Sequence, residues 1–253
     1  EFRRVLFRSQ PLYPAVDPHS AAGDIRVQPD VTPTPVADRE AILASPGFGK
    51  YFTDHIVVAK WNRDTGWGDA RLVGADSSAG TTTMNALHYG QAIFEGLKAY
   101  RHADGSVWTF RPEANALRFQ RSAYRLALPP VPTDLFIGAI EALVRQDLDW
   151  VPGEPDKSLY LRPFMYGNEA ILGVKPSATY EYVLIASPVG SYFKGGVKPV
   201  SLWLTEEYTR AGRGGMGAAK TGGNYASSLV AQQEAMGQGC DQVVFLEIGR
   251  AHV

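Results

Sequence analysis

The chain has 253 residues, 45% hydrophobic and 20% charged, with a formal net charge of −1. This is a soluble globular composition with room for one large domain or two modest ones, and the near-zero charge gives no electrostatic case for nucleic acid or an anionic membrane as partner. One cysteine, Cys240, excludes an internal disulfide and a multi-cysteine metal site, and makes a reducing, cytoplasmic setting the default.

No apolar run reaches membrane-spanning length. The histidines, His19, His55, His88, His102 and His252, show no metal-ligand spacing. The first stretch, Phe2-Arg3-Arg4-Val5-Leu6-Phe7-Arg8-Ser9, fits nothing around it. Together with the tail Glu247-Ile248-Gly249-Arg250-Ala251-His252-Val253 it reads as an in-frame translation of a sequencing-library adapter, so residues 1–9 and 247–253 are set aside as non-native. A basic amphipathic targeting segment would explain the head but not the tail. Residues 10–45 carry Pro11, Pro14, Pro18, Pro29, Pro33 and Pro35, which predicts an irregular or mobile arm.

Ile56-Val57-Val58-Ala59 predicts a strand, and Gly66-Trp67-Gly68 turns the chain towards Ala70–Val73. A short helix at His88 is expected to run into a strand after Gly96. Ala103-Asp104-Gly105 marks a hairpin turn leading to Val107–Phe110. Pro112 suits the first turn of a helix running to about Leu128. Ala116, Phe119, Ala123 and Leu126 give it a buried face, and Arg118, Arg121 and Arg125 lie on another. Pro129-Pro130 stops it. Thr133 is the expected cap of the next helix, which turns Phe136, Ile140, Leu143 and Val144 inward and ends before Pro152. Strands are predicted at Ser158–Phe164, Glu181–Ser187 and Pro199–Leu204, then a helix from about Tyr225 to Gln238 that Gly239 stops. Residues 188–196 form the best linker. They divide a small α+β domain, residues 46–187, from the start of a second one, residues 197–246. The readable chain ends in a strand-like run, Gln242–Leu246, so the expectation is a truncated gene fragment.

Within that second segment lies Gly214-Gly215-Met216-Gly217-Ala218-Ala219-Lys220-Thr221-Gly222-Gly223-Asn224-Tyr225, where five glycines bracket one lysine. Glycines let the backbone turn tightly and lie close to a bound group. A lysine held in such a turn can reach into a cleft and form a Schiff base with a carbonyl compound, pyridoxal phosphate included, once its surroundings supply the neutral amine. Taken alone, the motif is better explained as a solvated lysine in a glycine-rich loop.

Other stretches change that balance. Pro46-Gly47-Phe48-Gly49 precedes Phe52-Thr53-Asp54-His55, and Leu87-His88-Tyr89-Gly90 leads to Phe94-Glu95-Gly96-Leu97-Lys98-Ala99-Tyr100. Phe110-Arg111-Pro112 is followed by Arg121-Ser122-Ala123. Then come Leu159-Tyr160-Leu161-Arg162-Pro163, Gly167-Asn168-Glu169 and Leu172-Gly173-Val174. In this order and spacing, and with the Lys220 stretch, residues 46–246 resemble the branched-chain aminotransferases, within the fold-type IV pyridoxal-phosphate enzymes. The resemblance implies an α+β fold of that type, a homodimer and pyridoxal 5′-phosphate as cofactor. It also implies transfer of the amino group of leucine, isoleucine or valine to 2-oxoglutarate, giving glutamate, in two half-reactions.

By the same match, Lys220 would form the Schiff base with the cofactor and then carry the proton between the substrate Cα and the cofactor C4′. Arg118 would bind the cofactor phosphate, because a planar guanidinium pairs bidentately with phosphate oxygens; from spacing alone it belongs to a solvated stripe with Arg121 and Arg125. Tyr225 would bond the cofactor ring hydroxyl, the alternative being a core aromatic at a helix start. Tyr160 and Arg162 alternate along one strand and share a face. They would line the substrate pocket, with Arg162 pairing the side-chain carboxylate of glutamate or 2-oxoglutarate; a structural salt bridge is the other reading of Arg162. Phe52, Tyr89 and Phe94 would form an apolar wall that selects the branched side chains, although isolated aromatics are more often core.

Family members continue for roughly another domain, which carries the glutamate that pairs with the pyridine nitrogen. The chain as written is therefore expected to be inactive or nearly so. Rival readings are another fold-type IV enzyme, such as a D-amino-acid aminotransferase or aminodeoxychorismate lyase, and a non-catalytic fragment. Tyr160-Leu161-Arg162 and the Phe94–Lys98 stretch argue against the first of these.

Overall fold

The computed structural model describes residues 25–28, 31–47, 51–75, 84–190 and 199–246. The ends read as non-native lie outside them, as do Phe48, Gly49, and the expected linker beyond Gly190. The proline-rich arm holds more than irregular chain. Arg26–Val27 forms a short strand, β1, and Val36–Ala44 a helix, α1. Pro35 stands immediately before the helix, where the missing N–H has no intrahelical role and the extended φ and ψ suit entry. Pro33 and Pro35, two of the prolines that suggested an irregular arm, precede this helix.

β2 (His55–Asn62) and β3 (Gly66–Gly74) form an antiparallel hairpin. The Asn62 side chain builds its turn by accepting the amides of Asp64 and Thr65 at 3.0 and 2.9 Å. The short helix α2 (Asn85–Tyr89) closes on Gly90, whose φ of +66° is the left-handed cap position. β4 (Ala92–Phe94) already runs before Gly96, so the strand starts earlier than expected, and β5 (Leu97–Arg101) and β6 (Val107–Thr109) form the expected hairpin. Helix α3 (Pro112–Arg125) opens on Pro112 and ends at Arg125, short of Leu128, because Ala127 turns left-handed. Thr133 is no cap: it is the first residue of α4 (Thr133–Gln146). Pro132 supplies the extended entry, and no side chain caps the helix.

β7 (Ser158–Gly167) and β8 (Thr179–Val189) pair along ten residues, from Ser158 opposite Val189 to Gly167 opposite Tyr180. Pro188 and Val189, expected in the linker, thus belong to the sheet. The strand order is β1-β3-β2-β8-β7-β5-β6, with β4 also on β7. Burial alternates strictly along β7 from Leu159 onward. Leu159, Leu161 and Met165 face the helices, while Tyr160, Arg162, Phe164 and Tyr166 stand half-buried on the opposite face. On the helix side, Val57, Leu72, Leu161, Tyr182 and Leu184 pack against Phe119 and Ala123 of α3 and Phe136, Ile140 and Leu143 of α4. This is the amphipathic match the apolar spacing foretold.

β9 (Leu202–Thr205) and β10 (Gln242–Phe245) form a separate parallel pair. Parallel strands need a crossover, supplied by α5 (Gly222–Ala226) and α6 (Leu229–Gly237). The single helix expected here is broken in two. Ser227 and Ser228 turn their hydroxyls onto the carbonyls of Asn224 and Tyr225, competing with the helical ladder. Gly239 stops α6 as expected: its φ is +74°, and Cys240 donates to Ala235 O at 2.8 Å. No helix among the described residues is long and apolar enough to cross a membrane.

Two buried polar features can be tested. The ring of Tyr182 packs against Trp67, Phe119 and Phe136, its buried hydroxyl has no hydrogen-bond partner among the described residues, and burial pushes its pKa up. Tyr182→Phe is expected to raise stability in urea unfolding by about 1 kcal/mol, the scale of an unsatisfied buried group. Asp54 accepts from the hydroxyl and amide of Thr34 and from the indole of Trp150. Burial pushes its carboxyl up, but these bonds and the nearby His55 outweigh burial and hold it below the usual range. A depressed carboxyl adds stability that is complete above the unfolded value, about 3.9, and is lost as pH falls through the folded one. The stability gap between wild type and Asp54→Asn should therefore be constant from pH 7 to about pH 5 and shrink below about pH 4. A gap that widens on acidification would refute this.

Candidate active site

Lys220 is fixed by its backbone before its side chain comes into play. Its N–H donates to Ser122 Oγ of α3 at 2.9 Å, and its carbonyl accepts Phe94 N of β4 at 3.0 Å. Thr221 bridges to Ile93 and donates its hydroxyl to Ala92 O at 2.7 Å. The buried amide of Asn224 closes the loop from within, donating to Met216 O and Ala219 O at 2.7 and 2.8 Å. Gly214 has a φ of +79°, and a Cβ at Gly217 would lie 2.5 Å from that of Ala211, so the turn is built for glycine. Arg125 ties the same loop to α3 by donating to Gly214 O and Gly215 O at 3.2 Å.

The side chain so presented donates from Nζ to Tyr225 Oη at 2.7 Å. Nζ lies 4.5 Å from the Phe94 ring centroid, and the Phe94 and Tyr225 rings are 5.1 Å apart. Arg162 reaches the same ring from β7, its Cζ 4.7 Å from the Phe94 centroid. It donates from Nη2 and Nε to Tyr160 Oη at 2.9 and 3.2 Å. Tyr160 can lean there only because residue 96 is glycine. A Cβ at Gly96 would fall on the Tyr160 hydroxyl and 2.9 Å from Cζ.

Arg118 closes the group. Its Nε and Nη2 donate to the two carboxylate oxygens of Glu95 at 2.6 and 2.7 Å. Glu95 is fully buried, whereas the Arg118 side chain is 47% exposed. Bonding to Glu95 raises the pKa of Arg118 against the opposing effect of burial, and Tyr225 is close enough to add to the rise. Arg210 stands over the Tyr225 ring at 5.6 Å. The result is an amine beside a phenol, flanked by guanidiniums. That suits a ligand with a carbonyl to capture and anionic groups to hold.

The model for "Amino-transferase class IV" matches residues 92–250, a span that holds all of these groups except Tyr89 and Phe52. The chain belongs to the class IV aminotransferase family. It is 56% identical over 225 residues to the probable branched-chain-amino-acid aminotransferase of Streptomyces coelicolor, covering 88% of this chain and 62% of that protein. The branched-chain-amino-acid aminotransferase of Mycolicibacterium smegmatis is 54% identical over 88% of this chain and 61% of its own length. Among solved structures, the Escherichia coli branched-chain amino acid aminotransferase is similar with a TM-score of 0.63 at 25% identity, over 77% of this chain and 60% of that one. A second branched-chain amino acid aminotransferase, from T.th. and solved with pyridoxamine 5′-phosphate, gives 0.60 at 28% identity, over 75% and 59%. The chain thus spans about three-fifths of the relatives it matches, and its architecture is that of the fold-type IV enzymes.

Of the residues singled out in sequence, Lys220, Tyr225, Phe94, Arg162, Tyr160 and Arg118 come together in this chain. Phe52 and Tyr89 do not join them. Both are exposed, at 47% and 43%. The Tyr89 hydroxyl bonds Leu172 O instead. The arginines Arg118, Arg121 and Arg125 do lie on the exposed face of α3, and two of them, with the buried Ser122, make its contacts to the site: Arg118 to Glu95, Ser122 to Lys220 and Arg125 to the glycine loop. Ser122, Glu95, Thr221, Asn224 and Arg210 were missed as site residues. A polar residue inside the apolar face of α3, buried with Phe119 and Ala123, was the signal available for Ser122.

Gly96→Ala is expected to cost about 1–3 kcal/mol by forcing Tyr160 aside. The same change in a Tyr160→Ala background should cost roughly the ordinary few tenths. Equal costs in both backgrounds, measured by denaturant unfolding, would show that Tyr160 is not what requires the glycine.

Proposed function

We propose that this protein acts as a branched-chain aminotransferase, moving the amino group of leucine, isoleucine or valine to 2-oxoglutarate with pyridoxal 5′-phosphate as cofactor, in a reducing cytoplasmic setting. The observation that carries this reading is the Lys220 amine, immobilised through its own backbone and set 2.7 Å from Tyr225 Oη. The donor set fits the cofactor: an amine for its aldehyde, a phenol for its ring hydroxyl, a guanidinium for its phosphate. When bound, pyridoxal phosphate supplies the aldehyde and a conjugated ring that accepts charge from the substrate Cα.

Lys220 Nζ would be the nucleophile towards the cofactor aldehyde and the base that carries the proton between the substrate Cα and the cofactor C4′. Tyr225 Oη accepts from Nζ and holds it at one height above the Phe94 ring. Arg118 offers the phosphate a charged planar donor set. Phe94 gives the apolar side chain a wall. Arg162, steadied on Tyr160, pairs the side-chain carboxylate of glutamate or 2-oxoglutarate. Phe52 and Tyr89 complete the wall only in a larger assembly. We take that assembly to be a homodimer: Leu87, Leu172 and Val174 beside Tyr89 are 67%, 61% and 85% exposed, an apolar surface that a second copy would cover.

The test is to incubate the purified chain with pyridoxal phosphate, reduce with borohydride and map the label. Lys220 should carry it, and in a form extended to the length of the relatives leucine and glutamate should alter the visible absorbance of the bound cofactor while D-alanine does not. Label scattered over other lysines, or a response to D-alanine in place of leucine, would overturn the reading.

A further inference from the structure

Glu95 has no role in the chemistry above, yet it is the most heavily invested polar group near the site. Its carboxylate is fully buried. It receives Nε and Nη2 of Arg118, Nδ2 of Asn115 at 2.8 Å and the Gly96 amide at 3.2 Å. Its own N–H donates to Pro163 O at 2.7 Å, so its backbone is pinned to β7. Asn115 and Arg118 sit three apart on α3 and face it together. Nη1 of Arg118 has no hydrogen-bond partner among the described residues, and the side chain is 47% exposed.

We propose that Glu95 is a positioning residue of the phosphate site: by gripping the Nε–Nη2 edge of Arg118 it turns the Nη1 edge towards the cofactor phosphate. The proposal rests on the cofactor reading given above. It explains why an arginine stands here. A guanidinium has two usable edges and can be held by a carboxylate on one while binding an anion with the other; a lysine ammonium has no such fork. It also explains the burial of a carboxylate beside a site for anions. By charge alone Glu95 repels a phosphate, so its retention there requires a compensating orientational gain.

Charge and position therefore predict opposite signs. If Glu95 were only a counter-ion, Glu95→Gln would strengthen phosphate binding. If it were only a packing element, the change would weaken capture of any aldehyde at Lys220. As a positioning residue, it should weaken capture of pyridoxal phosphate and leave pyridoxal, which lacks the phosphate, unaffected. The 253-residue chain and its variants are titrated with each aldehyde, read by visible absorbance and by borohydride label on Lys220. The preference of Glu95→Gln for pyridoxal phosphate over pyridoxal should fall at least about tenfold, the lower end for losing the partner of a ligating group. Arg118→Lys should lose it as well, and the double variant should be no worse than Arg118→Lys alone. Asn115→Ala keeps both charges while loosening Glu95, and should lose preference in the same direction.

An unchanged or raised preference in Glu95→Gln overturns the proposal, as does a parallel loss of both aldehydes. Should Glu95→Gln fail to fold, an unchanged preference in Asn115→Ala overturns it equally. Capture of neither aldehyde at Lys220 by the wild-type chain overturns the cofactor reading itself, and the proposal with it.

Discussion

A carboxylate with no exposure to solvent must be paired, because its desolvation is not otherwise offset. Glu95 is in that position at the junction of β4 and β5, and α3 provides the pairing through Arg118 and Asn115. The direction and height of α3 against the sheet are thereby set at one end. Gln91 sets them at the other, donating to Leu126 O and Ala127 O where the helix runs out of internal partners. Once α3 is placed, Ser122 and Arg125 place the glycine loop, and the loop places Lys220. The lysine is thus positioned by a chain of contacts that begins at a buried charge more than a hundred residues earlier.

The same junction serves three groups with three consecutive residues. Phe94 gives its amide to Lys220 O and its ring to Lys220 Nζ. Glu95 holds Arg118, and Gly96 makes room for Tyr160. Strand alternation would put Phe94 and Gly96 on one face and Glu95 on the other. That is how the site can draw on β7 across the sheet while its arginine comes from the helical layer behind it. An insertion of one residue here would exchange the faces and dismantle all three arrangements at once.

Much of this was legible in the sequence and some was not, for a consistent reason. Periodicity reports which face a residue is on, so the buried stripes of α3 and α4 and the shared face of Tyr160 and Arg162 were readable. Partners distant in the chain leave no periodic trace. The Glu95–Arg118 pair spans 23 positions and the Lys220–Ser122 bond 98, and neither residue's role follows from its neighbours. Local rules failed where a competing local bond won, as with the serine hydroxyls that split the last helix, or where a neighbour took over the entry, as with Pro132, which left Thr133 inside its helix. Phe52 and Tyr89 were grouped with the pocket by family likeness alone, and both stand exposed, at 47% and 43%.

Two arginines of the site, Arg118 and Arg162, are held alike and charged differently. Each uses Nε and Nη2 for its anchor, Arg118 on a carboxylate and Arg162 on a phenol. Arg118 is therefore compensated within the protein. Arg162 forms no ion pair among the described residues, and its charge rests on the faces of Phe94 and Tyr160 at 4.7 and 5.2 Å. Aromatic faces stabilise a cation modestly, by about 0.5–2 kcal/mol, and offer no charge that an incoming carboxylate must displace. A pocket built this way tolerates an apolar side chain, because Arg162 is already accommodated. It gains when an acidic one arrives, because the charge is still unneutralised. On the proposed function, that is the physical requirement of a pocket that must take leucine in one half-reaction and 2-oxoglutarate in the other.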